Sequence, residues 1–306
     1  MKSQEMKDIF SEGLVEVEVM FMEPMRNHTS LRIGGPADIF VVPQTIVSLI
    51  NVCGHLKRNR IPFLPLGGGT NVLVRDGGIE GAVISFKTFK KIEPLKEDSE
   101  NVYLFVEAGV LLQRLVNFSK ENGYSGIEGL TGIPGTVGGA VCGNAGAFGY
   151  EMKDVLVSVE VPDAEGKINR MKAEGMDFGY RRSGILDELL LNAEIRLRKG
   201  DKEDVSARVE SFLKIKREKQ PIWEPSAGCV FKNPSGGSAG KLIDGAGCKG
   251  MRIGDVEVSN IHANFFINKG SANASDFIRL MEGVADRVSE RFGITLEPEI
   301  KIVGRD

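Results

Sequence analysis

Two glycine-rich runs are the residues whose types and spacing first suggest chemistry. Gly132-Ile-Pro-Gly-Thr-Val-Gly-Gly-Ala140 is followed by Gly143-Asn-Ala-Gly146, and Leu66-Gly-Gly-Gly-Thr-Asn71 repeats the theme upstream. Glycine has no Cβ and reaches positive φ without penalty, so such runs can turn backbone N–H groups toward an anion. Either loop alone reads as a tight turn between strands. Together, flanked by apolar runs, they fit a long ligand with a central phosphate group held from two sides.

The familiar phosphate motifs are absent. A dinucleotide fingerprint needs G-x-G-x-x-G at a strand-to-helix turn, and its third glycine position here is Val72. The nearest approach to a P-loop, Ser235-Gly-Gly-Ser-Ala-Gly-Lys241-Leu242, lacks the first glycine and the final hydroxyl. The phosphate-holding glycines therefore belong to another nucleotide fold. No metal is expected. Cys53, Cys142, Cys229 and Cys248 have no metal-type spacing, and His28, His55 and His262 stand apart from one another.

Composition sets the wider bounds. With 306 residues, 42% hydrophobic and 26% charged, the chain is an ordinary globular protein of two or three domains. Glycine is the outlier: 38 of 306 residues is about 12%, against a usual ~7%. A net charge of −3 leaves no basic excess for nucleic acid. The N-terminus leads into no apolar signal segment, and no apolar run reaches membrane-spanning length, so a cytoplasmic protein with reduced thiols and no membrane partner is expected.

The elements that must carry the loops follow from periodicity. Residues 1–23 read as a helical extension ending near Pro24. Ala37–Val42 reads as a strand, and Thr45 as the cap of a helix with its apolar stripe on Ile46, Leu49, Ile50, Cys53 and Leu56. Phe63–Leu66 and Val72–Val74 bracket the first glycine loop. Strands are expected at Ala82–Phe86, Val102–Glu107, Val155–Val161 and Leu189–Leu197, with a helix at about 110–122 stopped by Gly123. A helix over Asp204–Lys219 ends at Pro221, and a last one with Phe277, Leu280, Met281, Val284 and Val288 on one face ends at Gly293. A strand over Leu296–Val303 closes the chain. The expected division is a first subdomain 24–78, a second 79–200, and a C-terminal α+β domain 201–306 whose final strand returns to the core.

The order of these blocks resembles the family of UDP-N-acetylenolpyruvoylglucosamine reductases. Beyond the glycine loops, Phe178-Gly-Tyr-Arg-Arg-Ser183, Ser226-Ala-Gly-Cys-Val-Phe-Lys-Asn-Pro234, Ala239–Asp244, Gly250–Gly254 and Leu296-Glu-Pro-Glu-Ile300 occur in the family's order, over about 24–304. The resemblance implies an α+β FAD-binding fold in two subdomains, of the vanillyl-alcohol oxidase and p-cresol methylhydroxylase type, plus a C-terminal substrate-binding domain. It implies non-covalent FAD, since no histidine lies beside either loop, and NADPH as hydride donor. The cofactor residues carried over are Leu66, Gly67, Gly68, Gly69, Thr70 and Asn71, then Gly132, Ile133, Pro134, Gly135, Thr136, Gly138, Gly139 and Ala140, then Asn144, Ala145, Gly146 and Ala147. The short path from Ser183 to Arg198 resembles the family's shorter form, without a substrate-capping loop.

The implied reaction passes a hydride through the flavin to C3 of an enolpyruvyl ether of UDP-N-acetylglucosamine and a proton to C2, giving UDP-N-acetylmuramate for peptidoglycan. Arg181 matches the catalytic arginine: a permanent guanidinium suits charge developing on the substrate carboxylate. Glu299 matches the catalytic glutamate, although strand alternation alone would leave it on a solvated face. Cys229 stands where the family usually has the serine that donates the proton to C2. A thiol, with an ordinary pKa near ~8.5, can take that role, while a free cysteine is more often a small buried hydrophobe. Tyr180, Lys232 and Asn233 match substrate-binding positions. The partner is a small molecule; sequence does not set the oligomeric state, and no oligomer is predicted, with a monomer slightly preferred. An oxidase of the same fold acting on an alcohol or lactone is the alternative reading, and a flavin-binding module without catalysis a third.

Overall fold

The computed structural model describes residues 14–163, 165–185 and 189–306. Contacts divide the chain into two compact units. One comprises the stretch up to Met20 with Phe40–Gly68 and Ala82–Ile215; the other comprises Phe21–Ile39, Gly69–Gly81 and Lys216–Asp306. The expected boundaries at 78/79 and 200/201 therefore differ from the observed partition, in which the first glycine loop itself is divided at Gly68/Gly69.

The first unit is organised around an antiparallel sheet with strand order Ile168–Lys172, Leu156–Pro162, Asn192–Lys199, Asn101–Glu107, Ile92–Glu97; Tyr124–Ser125 adds to Asn192–Lys199. Alternation is plain in Asn101–Glu107, where Val102, Leu104 and Val106 are buried and Tyr103 and Phe105 only half-buried. Helix α1 (Ile46–Arg58) begins at Thr45, whose hydroxyl accepts the Ser48 N–H at 3.1 Å while the Ser48 hydroxyl accepts the Thr45 N–H at 3.0 Å. It buries Leu49, Val52, Cys53 and Leu56. Helix α2 (Leu112–Asn122) stops at Gly123, which takes the left-handed conformation at φ 70°. Helix α3 (Val137–Cys142) lies inside the second glycine run, and helix α4 (Lys202–Lys219) follows the sheet.

The second unit packs Leu31, Leu73, Phe231, Val256 and Phe266 against helix α6 (Ala274–Phe292), which contributes Phe277, Leu280, Met281, Val284 and Val288. Its small sheet runs Arg252–Ile253, Val256–Val258, Phe266–Asn268, and Lys301–Val303 pairs in parallel with Val72–Val74. Short helix α5 (Ala239–Gly245) is capped by Ser238. The Asp76 carboxylate accepts the N–H groups of Ala274 and Ser275 at the start of α6. No described helix is long and apolar enough to cross a membrane.

Residues 1–13 lie outside the described residues, but Val17–Pro24 is a strand, not the end of a helical extension. The alternation Val15-Glu-Val-Glu-Val19 has the two-residue period of a strand, and it overrides the helix propensity of Met and Glu.

Glu128 is a buried charge of the first unit, 1% exposed. Its carboxylate accepts the Gly126 N–H at 2.7 Å, the Ser125 hydroxyl at 2.8 Å, and Nε and Nη2 of Arg208 on α4 at 3.0 and 2.9 Å. Burial alone would raise the Glu128 carboxyl, but these hydrogen bonds outweigh it and hold the group below the ordinary range. A depressed folded value means that the stabilisation is complete above the unfolded value of about 4.3 and drains away as pH falls through the folded one. Glu128→Gln should cost about 1–3 kcal/mol near neutrality in urea unfolding, with the two stability curves converging in acid. A difference independent of pH would show that the charge is not what stabilises the contact.

Candidate active site

The two glycine loops meet in the first unit. A Cβ on Gly67 would lie 2.4 Å from Oγ1 of Thr136, so only glycine lets the loops touch. Gly67, Gly68 and Gly139 are exposed around Thr136, leaving a stretch of bare main chain. A flat, phosphate-bearing cofactor needs such a surface, and the residues present fit one.

The second loop uses its amides differently from the expectation. The Gly132 N–H donates to Oε1 of Gln113 at 2.7 Å, Ile133 to the Leu130 carbonyl, Val137 to Val110, and Gly138 to Ala108 at 2.9 Å. A Cβ on Gly138 would sit 2.9 Å from that of Ala108. Much of the glycine content in this run serves close packing on the 108–110 segment, rather than anion donation.

Arg181 lies on a two-residue turn, not on a strand. The Gly179 N–H donates to the Arg182 carbonyl at 2.9 Å and the Arg182 N–H to the Gly179 carbonyl at 3.2 Å. Tyr180 and Arg181 form the tip, with Arg181 in the left-handed region at φ 56°. The neighbours part at the turn: Arg182 pairs with Asp177 at 3.2 Å, whereas Arg181 lines a cavity of about 200 Å³ together with Asn144, Tyr150, Glu151 and Tyr180. The Arg181 guanidinium lies 5.4 Å from the centre of the exposed Tyr180 ring. Ser183 anchors the turn by donating its hydroxyl to the Cys142 carbonyl at 2.7 Å.

In the second unit, Cys229 and Glu299 sit on paired extended segments. The Val230 carbonyl accepts the N–H of Glu299 at 2.7 Å and of Ile300 at 3.3 Å, and the Lys232 N–H donates to the Glu297 carbonyl at 2.8 Å. On the other edge, Cys229 bridges to Phe265, and the Val230 N–H donates to the Asn264 carbonyl at 2.8 Å. Cys229 and Glu299 are both half-buried.

The end of the first glycine loop holds the same region. Asn71 donates from Nδ2 to the Glu299 carbonyl at 3.1 Å and accepts the Lys301 N–H on its own carbonyl. Gly69 packs so closely on the chain at 28–29 that a Cβ would lie 2.1 Å from the His28 carbonyl oxygen. Ser30 donates its N–H to Gly69 and its hydroxyl to the Ser226 carbonyl at 2.6 Å. Lys232 forms an ion pair with Glu297 at 3.2 Å, and Oδ1 of Asn233 accepts the Ala239 N–H at 3.0 Å. Burial pushes the His262 imidazole below its ordinary value, so it is neutral at pH 7, with Nδ1 accepting the Asn264 N–H at 3.3 Å.

The residue that sequence reasoning missed is Asn264. It is buried, its Oδ1 accepts the Phe231 N–H at 2.9 Å, and its Nδ2 donates to the Phe231 carbonyl at 2.7 Å. One side chain thus imitates a strand partner beside Cys229. The available signal was an amide inside the apolar run Ala263-Asn-Phe-Phe-Ile267.

A family model described as "FAD binding domain" matches residues 37–172. With the glycine loops that meet inside it, this defines the chain as a flavoprotein of the oxidoreductase class. A second model, the C-terminal domain of UDP-N-acetylenolpyruvoylglucosamine reductase, matches residues 220–303. A reductase of that name from Clostridium novyi (strain NT) is 44% identical over 287 residues, covering 92% of this chain and 91% of the relative. Another, from Caldanaerobacter subterraneus subsp. tengcongensis, is 42% identical over 302 residues, covering 98% and 97%. The crystal structure of the reductase from Thermus caldophilus superimposes with a TM-score of 0.79 at 35% identity, covering 94% of this chain and 99% of that one. The chain belongs to the UDP-N-acetylenolpyruvoylglucosamine reductase family.

Asn264→Ala should leave the buried N–H and carbonyl of Phe231 without partners and cost roughly 2–4 kcal/mol in denaturant unfolding. An unchanged midpoint would show that water or a local shift replaces the amide.

Proposed function

We infer that this chain reduces the enolpyruvyl ether of UDP-N-acetylglucosamine to UDP-N-acetylmuramate, a step of peptidoglycan precursor synthesis, with NADPH as reductant. The observation that carries the reading is the pairing of the Cys229 and Glu299 segments through the Val230 carbonyl, in a chain aligned almost end to end with reductases of this name. Bound FAD would supply the hydride relay, from NADPH to C3 of the enolpyruvyl group. The bared main chain at Gly67, Gly68 and Gly139 beside Thr136 is the surface that would hold it.

The remaining work falls to side chains. As hydride reaches C3, the electron pair of the C2–C3 double bond moves toward the carboxylate. Arg181 steadies that charge, since a guanidinium remains protonated and offers paired donors. Cys229 then gives its thiol proton to C2, forming the new C–H bond; the thiolate recovers a proton from water. Glu299 is assigned to the same reacting group as a hydrogen-bonding acid. Tyr180, Lys232 and Asn233 are assigned to the sugar nucleotide. The cytoplasm, where nucleotide-activated sugars and NADPH occur, is the compartment that this reading requires.

Purified protein given NADPH and the enolpyruvyl substrate should form a product heavier by two hydrogens, measured by mass spectrometry. Cys229→Ser should retain at least about a tenth of that rate, whereas Cys229→Ala should lose about a hundred-fold or more, with flavin reduction by NADPH intact. Full turnover in the alanine variant would remove the thiol from the mechanism.

A further inference from the structure

Asn144 lies in the second glycine run, among positions whose resemblance points toward the flavin, yet its side chain is turned into the protein. It is buried, 2% exposed, with a left-handed backbone at φ 40°. Its Oδ1 accepts the Lys153 N–H at 3.1 Å. Its Nδ2 donates to Oε2 of Glu151 at 2.9 Å and to the Gly179 carbonyl at 3.1 Å. A primary amide has two N–H donors, and both are taken.

The two acceptors share one neighbour. The Gly179 carbonyl is the group that closes the Gly179–Arg182 turn, so Asn144 supplies its second donor from outside. That turn holds Arg181 at φ 56°, a left-handed conformation that a residue with a Cβ keeps only where its surroundings enforce it. Glu151 lines the same cavity as Arg181. Its carboxylate is fixed by Asn144 and by Nζ of Lys153 at 2.7 Å. The hydrogen bond from Lys153, with help from Asn144 and the Arg181 charge, holds Glu151 below the ordinary carboxylate range despite some burial, so it is an anion at neutral pH.

The carboxylate is itself braced. Glu151 ends a short hairpin in which Gly146–Ala147 pairs with Tyr150–Glu151. Phe148 stacks on Phe212 of α4 at 4.5 Å, and Tyr150 meets the same ring edge-on at 5.9 Å.

We propose that Asn144 and Glu151 are positioning residues for Arg181: Asn144 fixes the turn, Glu151 orients the guanidinium, and together they set the carboxylate-binding end of the site. The inference rests on the reaction given under Proposed function. It assigns Asn144 to the arginine rather than to the cofactor.

Asn144→Asp is the sharpest variant. Aspartate has the same size, tolerates the left-handed region and keeps the acceptor for Lys153, but loses both donors. Glu151→Gln, which keeps shape and removes charge, is the second. The oxidised, FAD-containing proteins are titrated calorimetrically with UDP-N-acetylmuramate, which has the carboxylate, and with UDP-N-acetylglucosamine, which lacks it. Both variants should bind the carboxylate ligand about ten-fold more weakly and the other ligand within about two-fold of wild type. Flavin reoxidation by the enolpyruvyl substrate should slow in proportion, while flavin reduction by NADPH holds its rate. Equal losses for both ligands would mean a merely structural role, and no loss would mean none; either result overturns the proposal. A wild-type protein that binds neither sugar nucleotide would overturn the functional reading itself, and with it the inference.

Discussion

Main-chain contact without an intervening side chain is the constraint on which this structure depends. A Cβ on Gly69 would come within 2.1 Å of the His28 carbonyl oxygen, and on Gly109 and Gly78 within 1.8 Å of the carbonyl oxygens of Phe86 and Pro36. No rotamer change relieves a clash with backbone, so a side chain at these positions would have to move whole segments. The glycine excess is therefore mainly structural. It lets loops lie directly on one another and leaves the main chain of Gly67, Gly68 and Gly139 exposed.

The groups assigned to chemistry all stand on irregular or isolated extended backbone, held by hydrogen bonds rather than by helix or sheet interiors. Arg181 caps a two-residue turn. The Cys229 segment is fastened on one side by Asn264 and Phe265 and on the other by Glu299 and Ile300. Asn71 ties the end of a glycine loop to the Glu299 carbonyl. Such segments offer a reacting group to a ligand from several directions, and the surrounding hydrogen bonds replace the rigidity that regular structure would have provided.

Much of this scaffold was legible in local sequence because local forces decide it. Thr45 caps α1 through a reciprocal bond with Ser48, and Gly123 and Gly293 end α2 and α6 in the left-handed conformation that glycine adopts freely. The flavin-binding class and the family followed from ordered blocks rather than from any single motif. What local pattern could not convey is partnership across the chain. Glu128 looks like any surface glutamate until Arg208 is seen beside it, and Asn264 like a loop amide until Phe231 is. Nor can spacing tell which N–H groups of residues 132–140 are already bonded to the protein. At Val17–Pro24 composition favours helix and alternation favours sheet, and the alternation prevails.

On the proposed reading, one flavin receives electrons from NADPH and gives them to the enolpyruvyl ether. An anaerobic visible spectrum of the purified protein tests it most directly. NADPH should bleach the yellow flavin, and colour should return only when the enolpyruvyl sugar nucleotide is added. A protein that cannot be loaded with FAD, or a bleached flavin that the substrate leaves unchanged, would contradict the account.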